Sequence, residues 1–319
     1  MRALRQGLAE TGADAFGYVA PQGLFATRVA LADYLRRVRG VLAEPQYIVL
    51  CSGATQAVAL LARSLPTSSL AMEDPGFWLH RMVLRDNGVE PIPVPVDEDG
   101  IDVGALAASG ADAVLATPAH QSPTGVVLSA ARRTELMDWA RAGHLVIEDD
   151  YDAEYRYDRA PVGALQGIAP DRVIYVGSTS KTLAPGLRIG WMVLPAHLVG
   201  AVKRAKGLAD TGSSVMDQLA FAQLLRSGGI RQAPAPDASP IPDPTECPAG
   251  GTGPAPAASD RARGRGRRSP DRALSRRVSD RGAGPAGREA AGTGRAARPV
   301  LRRSVISPTG PAARLRESH

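Results

Sequence analysis

Cysteine is nearly absent from this chain: Cys51 and Cys247 are the only two in 319 residues. Two cysteines supply no disulfide framework and match no metal-site spacing, so a reducing, cytoplasmic setting is the expectation. No run of about 18 or more apolar residues occurs, which argues against a membrane-spanning helix. The opening stretch MRALRQGLAETGADAFGY lacks the apolar core and small-residue cleavage site of a secretory leader. Aromatic residues make up only 4% of the chain, and every Phe, Tyr and Trp lies before residue 230.

That last absence divides the chain. Residues 230–319 hold no Lys, Met or aromatic residue, only 9 Leu, Ile or Val, and 24 Pro or Gly. They carry 17 Arg against 8 Asp or Glu, so the formal net charge of +6 is a tail of +9 on a body of −3. Such a segment cannot bury enough apolar surface to offset a backbone entropy cost of roughly 1–2 kcal/mol per residue. Residues 230–319 are therefore expected to be a disordered, low-complexity basic tail. Three origins stay open for it. Translation out of frame is favoured, because the change follows abruptly on the helical MDQLAFAQLLRSGG and because Arg, Ala, Pro and Gly share G- and C-rich codons. An Arg-rich arm (RARGRGRRSP) that neutralises nucleic-acid phosphates is the second, and a plain linker the third.

The body reads as alternating strands and helices. Strands are expected at 47–50, 69–73, 111–117, 144–150, 172–178 and 188–194, with helices at 54–65, 77–88 and 131–143. Residues 89–94 (VEPIPV) are extended, and their prolines put them near a sheet edge. This alternation predicts an α/β fold with a mostly parallel sheet flanked by helices. Ligands bind beyond the C-terminal ends of strands in such sheets, and five motifs fall just there.

In Gly177–Trp191 (GSTSKTLAPGLRIGW), Lys181 sits among small hydroxyl residues and Arg188 follows seven positions later. A neutral lysine amine attacks aldehydes, while hydroxyls and a guanidinium suit a phosphate. A solvated Lys in a polar turn explains the same residues. In VIEDDYD (146–152), apolar residues run straight into acids. A carboxylate ending a buried strand needs a cationic partner, and a pyridinium nitrogen is one; an acidic loop or a metal cluster are the alternatives, the metal reading being the minority one without His at hand. Ser52-Gly53-Ala54-Thr55-Gln56 places small residues at a helix start, where backbone amides bind phosphate or a plain cap suffices. Thr117–Gly125 (TPAHQSPTG) is a turn displaying His120 and Gln121. Glu73–Phe77 (EDPGF) offers Phe77 to a planar ring, or simply to the core.

Taken in order, the motifs resemble the class I/II aminotransferases of pyridoxal-phosphate (PLP) fold type I, over roughly residues 1–229. The wording of GYVAPQGLFATRVALADYLRRVRGV, SGATQAVALLAR, EDPGF, TPAHQSPTG, EDDYDAEYRY and STSKTLAPGLRIGW is most similar to the aminotransferase-like domain of MocR-type regulators of the GntR family. The resemblance implies PLP as cofactor, bonded through Lys181, with Asp149 at the ring nitrogen and Tyr151 at the ring's phenolic oxygen. It implies Phe77 stacked on the ring and His120 and Gln121 lining it. Gly53, Ala54, Thr55, Ser178, Ser180 and Arg188 would hold the phosphate, and Tyr18 would reach across a homodimer interface. No metal is implied. Ser122 stands where ordinary aminotransferases have Asn, which favours the regulator subgroup.

The resemblance also implies an organisation: an N-terminal helical segment at 1–45, a PLP-binding large domain at 46–229, and the tail. The small domain with its carboxylate-gripping arginine, and the winged helix through which such regulators bind DNA, have no counterpart in the sequence. The expected function is that of a regulator's effector domain binding an amino acid or amine, in truncated form. The alternatives are a catalytic aminotransferase acting on an amino acid and a 2-oxo acid, and nucleic-acid binding through the tail.

Overall fold

The computed structural model describes residues 2–67, 69–152 and 163–232. The expectations for the tail beyond Gln232, for Cys247 and for residues 153–157 of the acidic motif lie outside the described residues.

Eight strands form one sheet: β1 (Ile48–Cys51), β2 (Ser69–Asp74), β3 (Glu90–Asp97), β4 (Gly100–Ile101), β5 (Ala113–Ala116), β6 (Leu145–Asp150), β7 (Val173–Ser178) and β8 (Gly190–Val193). Their spatial order is β1-β8-β7-β6-β5-β2-β3-β4. The pairings β3–β2–β5–β6–β7 are parallel, while β8 runs against both β7 and β1 and β4 folds back on β3. The chain moves from β2 outward to β3, then returns to the other side of β2 for β5. That reversal opens a crevice at the C-terminal strand ends, where open α/β sheets bind ligands.

The prolines of β3 explain its place. Pro95 accepts the Asp102 N–H on the side away from β2, and alternate residues of a strand face the same way. Pro91, Pro93 and Pro95 therefore all turn their missing N–H from β2, and the ladder to β2 stays whole.

Helices cover both faces: α1 (Arg2–Ala9), α2 (Phe25–Arg39), α3 (Ala54–Ser64), α4 (Trp78–Asp86), α5 (Val103–Ala108), α6 (Ala130–Arg141), α7 (Ala196–Asp210) and α8 (Val215–Arg226). Side chains start several of them. Asp102 accepts the Ala105 N–H, Ser129 that of Arg132 and Ser214 that of Asp217. Gly40, in the left-handed conformation, closes α2. The sequence pattern gave no warning of α5, β4 or α7. Two glycines and three cations interrupt α7 (AHLVGAVKRAKGLAD), and one of those cations, Lys206, points inward.

The strand period sorts the core into two sides. Val49, Cys51, Ile147, Ile174, Val176 and Met192 face Val58 and Leu61 of α3 and Leu198 and Val202 of α7. Their neighbours Ile48, Leu50, Tyr175, Trp191 and Val193 face Leu31 and Leu35 of α2 and Phe221 of α8. Burying each such Leu or Val contributes roughly 1.5–3 kcal/mol. No helix among the described residues is long and apolar enough to cross a membrane.

Candidate functional site

The same alternation decides the fate of the acids on β6. Val146, Glu148 and Asp150 project to one face, Ile147 and Asp149 to the other. On the first face every acid finds a donor from the chain. Glu148 accepts the backbone N–H groups of Leu165 (2.9 Å) and Gln166 (3.0 Å). Asp150 takes Arg39 Nε and the Tyr175 hydroxyl, both at 2.7 Å.

Asp149 is 5% exposed; its Oδ1 has no hydrogen-bond partner, which is true of Asp150 Oδ1 as well, but Asp149 lacks the cationic partner that Asp150 has in Arg39. Burial, with Asp150, Glu73 and Asp152 nearby, pushes its carboxyl up to about 7. His80 Nδ1 lies 3.8 Å from Asp149 Oδ2, but burial lowers His80 to about 4, so the imidazole is neutral and offers no countercharge.

Asp149 opens onto a cavity of about 200 Å³ whose lining includes Ala54, Thr55, Phe77, Tyr151, Lys181 and Arg188. Ser178 and Ser180 line it too, and so do three residues the motifs did not single out as ligands: His80, Thr117 and Ser122. Nine of the expected site residues thus surround one space. Gly53, His120 and Gln121 are not on its wall.

Each of those three has a visible task. Gly53 (φ 84°) opens α3, and a Cβ there would stand 3.0 Å from Arg188 Nη2, while one on Gly190 would stand 2.6 Å from the Gly53 Cα. The two glycines let β8 and the start of α3 touch. Arg188, itself left-handed (φ 51°), donates from Nη2 to the Ser52 carbonyl at 2.8 Å. Gln121 is consumed bracing its own turn against the Glu73–Pro75 segment. Its Nε2 donates to the Pro75 and Ser122 carbonyls (2.8 and 2.9 Å), and its Oε1 accepts from Thr124. Buried Glu73 ties the same turn down, accepting from the Thr117 hydroxyl at 2.6 Å and from Gln121 at 3.2 Å. His120 bonds Asp152 through Nδ1 and lies 3.2 Å from the Tyr151 hydroxyl. Burial, then Asp152 and Asp149, raise the Tyr151 phenol, so it remains a neutral donor.

His80 had a readable signal. It follows Phe77 by three positions at the start of α4, on the same side of the helix. The two rings meet edge to face at 5.0 Å.

The donor set has two unlike parts. One is a buried carboxylate oxygen lacking a partner, beside an aromatic ring and a phenol. The other joins the uncapped N-terminus of α3, two serines and a guanidinium. A cation in a flat ring suits the first and a phosphate the second, so the residues present fit PLP.

Comparison with known proteins agrees with that chemistry. The family model for aminotransferase class I and II matches residues 1–233. The HTH-type pyridoxine biosynthesis transcriptional regulator PdxR of Corynebacterium glutamicum is 37% identical over 213 residues, 66% of this chain and 47% of that protein. The Rhizobium meliloti protein named "Probable rhizopine catabolism regulatory protein MocR" is 34% identical over 219 residues, 67% of this chain and 44% of that one. Among solved structures, an archaeal alanine:glyoxylate aminotransferase superposes with a TM-score of 0.66 at 27% identity, covering 72% of this chain and 60% of its own. The Pyrococcus horikoshii kynurenine aminotransferase, solved with PMP, gives 0.65 at 28% identity, covering 72% and 61%. The chain spans about half the length of the curated relatives it matches. It belongs to the class I and II aminotransferase family, whose cofactor is PLP, and its domain is homologous to the aminotransferase-like part of MocR/GntR-type regulators.

Proposed function

We propose that this cavity binds PLP through Lys181 and serves as the effector site of a MocR-type transcriptional regulator, responding to an amino acid or amine. The carrying observation is the unpartnered Asp149 Oδ1 in a cavity that also holds Lys181 and Arg188. When bound, PLP supplies an aldehyde for amines and a ring that withdraws electrons from them. Lys181 Nζ is the amine that attaches to it and, when free, a carrier for a proton. Asp149 holds a proton on the ring nitrogen by staying ionised opposite it. Tyr151, with Ser122 beside it, would donate to the ring oxygen, Phe77 would stack on the ring, and Ala54, Thr55, Ser178, Ser180 and Arg188 would hold the phosphate. His120 acts through Tyr151, and Gly53 and Gln121 act by shaping the turns that carry the others.

In this reading residues 46–229 are the cofactor-binding domain, residues 1–45 its N-terminal helical segment, and the working form a cytoplasmic homodimer. Tyr18, fully exposed at 104% relative accessibility, suits a contact with a second copy. DNA would be reached through a winged helix like that expected of the regulator relatives. Transamination is the second reading, favoured by the likeness to the alanine:glyoxylate and kynurenine aminotransferases.

Borohydride reduction of the PLP-treated chain, followed by peptide mass mapping, tests the assignment. Label is expected on Lys181, and none on the peptide in Lys181→Ala. Label retained elsewhere at wild-type yield in that variant would refute it. Sustained turnover of an amino acid with a 2-oxo acid would decide for the enzyme over the sensor.

A further inference from the structure

Lys206 is the most fully hidden cation described. Its side chain is 0% exposed, yet it lies in α7, away from the residues that line the cavity. Its Nζ donates to Asp210 Oδ2 and to Ser213 Oγ, the latter at 3.1 Å. Asp210 Oδ2 also accepts Gln56 Nε2 at 2.8 Å, and Oδ1 accepts the Gly212 N–H at 3.0 Å. The other end of the Gln56 carboxamide, Oε1, accepts the Ser52 N–H at 2.7 Å. An unbroken line of hydrogen bonds thus runs from a buried ammonium to the turn that opens α3.

Lys206 is buried while the Asp210 side chain is 28% exposed, and hiding a cation offsets much of what its attraction to one such carboxylate gains. What the pair does provide is direction. A carboxamide has a donor end and an acceptor end of nearly equal size. Asp210, kept ionised by Lys206, can only accept, so it draws Nε2 and leaves Oε1 for Ser52. With Ser52's amide taken and Gly53 adding no side-chain cap, the first-turn amides of α3, those of Ala54 and Thr55 among them, remain as donors.

We propose that Lys206 and Asp210 are positioning residues for phosphate: their pair fixes the orientation of Gln56, which locks the Ser52 amide inward and sets the first-turn amides of α3 toward the ligand. The inference rests on reading the cavity as a PLP site, and its test separates the two.

Asp210→Asn lets the carboxamide turn over, and Lys206→Met removes the cation that anchors Asp210 against it. In the ligand-free chain, hydrogen exchange at the Ser52 amide is expected to quicken about tenfold in both, the scale of one hydrogen bond. Binding of PLP is expected to weaken about tenfold, while binding of pyridoxal, the same ring without phosphate, stays unchanged. Gln56→Met should reproduce both effects, and it carries the test if a charge-removing variant fails to fold. Unchanged Ser52 exchange, or parallel losses for PLP and pyridoxal, would overturn the positioning role. A wild-type chain binding PLP no better than pyridoxal would instead remove the phosphate site itself, and this inference with it.

Discussion

On one side of β6, Glu148 and Asp150 meet donors supplied by the chain: two backbone amides, a guanidinium and a phenol. Asp149 and Asp150 each keep an Oδ1 without a partner, but Asp150 has the Arg39 guanidinium as countercharge, whereas Asp149, on the other side, faces only a neutral His80 and opens onto the cavity. The three residues are consecutive carboxylic acids, and all are buried. Their difference lies in who completes them. The first side gets its donors and its countercharge from folding alone, and its acids hold α2 and the 165–167 turn to the sheet. The second side has no such countercharge from the described residues, and in the proposed reading the cofactor ring supplies it.

Three experiments sharpen that contrast. The largest effect should come from Arg39→Met, which leaves Asp150 with the Tyr175 hydroxyl as its remaining described partner. Removing one member of a buried pair costs about 3–5 kcal/mol. Denaturant titration should show that loss, while PLP labelling of Lys181 persists at temperatures where the variant is folded. Labelling lost in a folded variant would show that the two sides are not independent.

Asp149→Asn should do the opposite. Its carboxyl stands at about 7 in the folded chain against an ordinary 3.8. A raised acid stabilises fully below its unfolded value, and that contribution is lost as pH climbs through the folded one. Without cofactor, the variant should match the wild type near pH 4 and exceed it at pH 8 by about 1–3 kcal/mol, the cost of an unsatisfied buried group. A variant that is less stable at pH 8 would show that the carboxylate already has its partner. The smallest effect belongs to Phe77→Leu, which should weaken PLP binding by about 0.5–1.5 kcal/mol through lost stacking, with stability nearly unchanged. An unaltered affinity would place Phe77 in the core rather than against a ring.

Much of the binding side was legible in the sequence because it is written in short pieces. Lys181 and Arg188 share one loop, and Ala54 and Thr55 one helix start, so local wording sufficed to single them out. Gln121 and His120 were harder. Being displayed in a turn does not say which way a side chain faces, and Gln121 turns back to brace its own loop. The Arg39–Asp150 pair spans 111 positions, and Gln56–Asp210 spans 154. Neither has any local signature, since each exists only once the sheet has brought distant helices together. Helix α7 was hidden for a related reason: Lys206 breaks the apolar rhythm yet points inward, because its partner comes from its own next turn.

The three prolines of β3 have a consequence for self-association. A bare strand margin invites another chain to zip onto it, but the stretch 91–95 offers no amide on its outer side, and beyond it Asp97 is already paired with Gly100 of β4. Strand-by-strand growth on the 91–95 stretch of β3 is thereby discouraged.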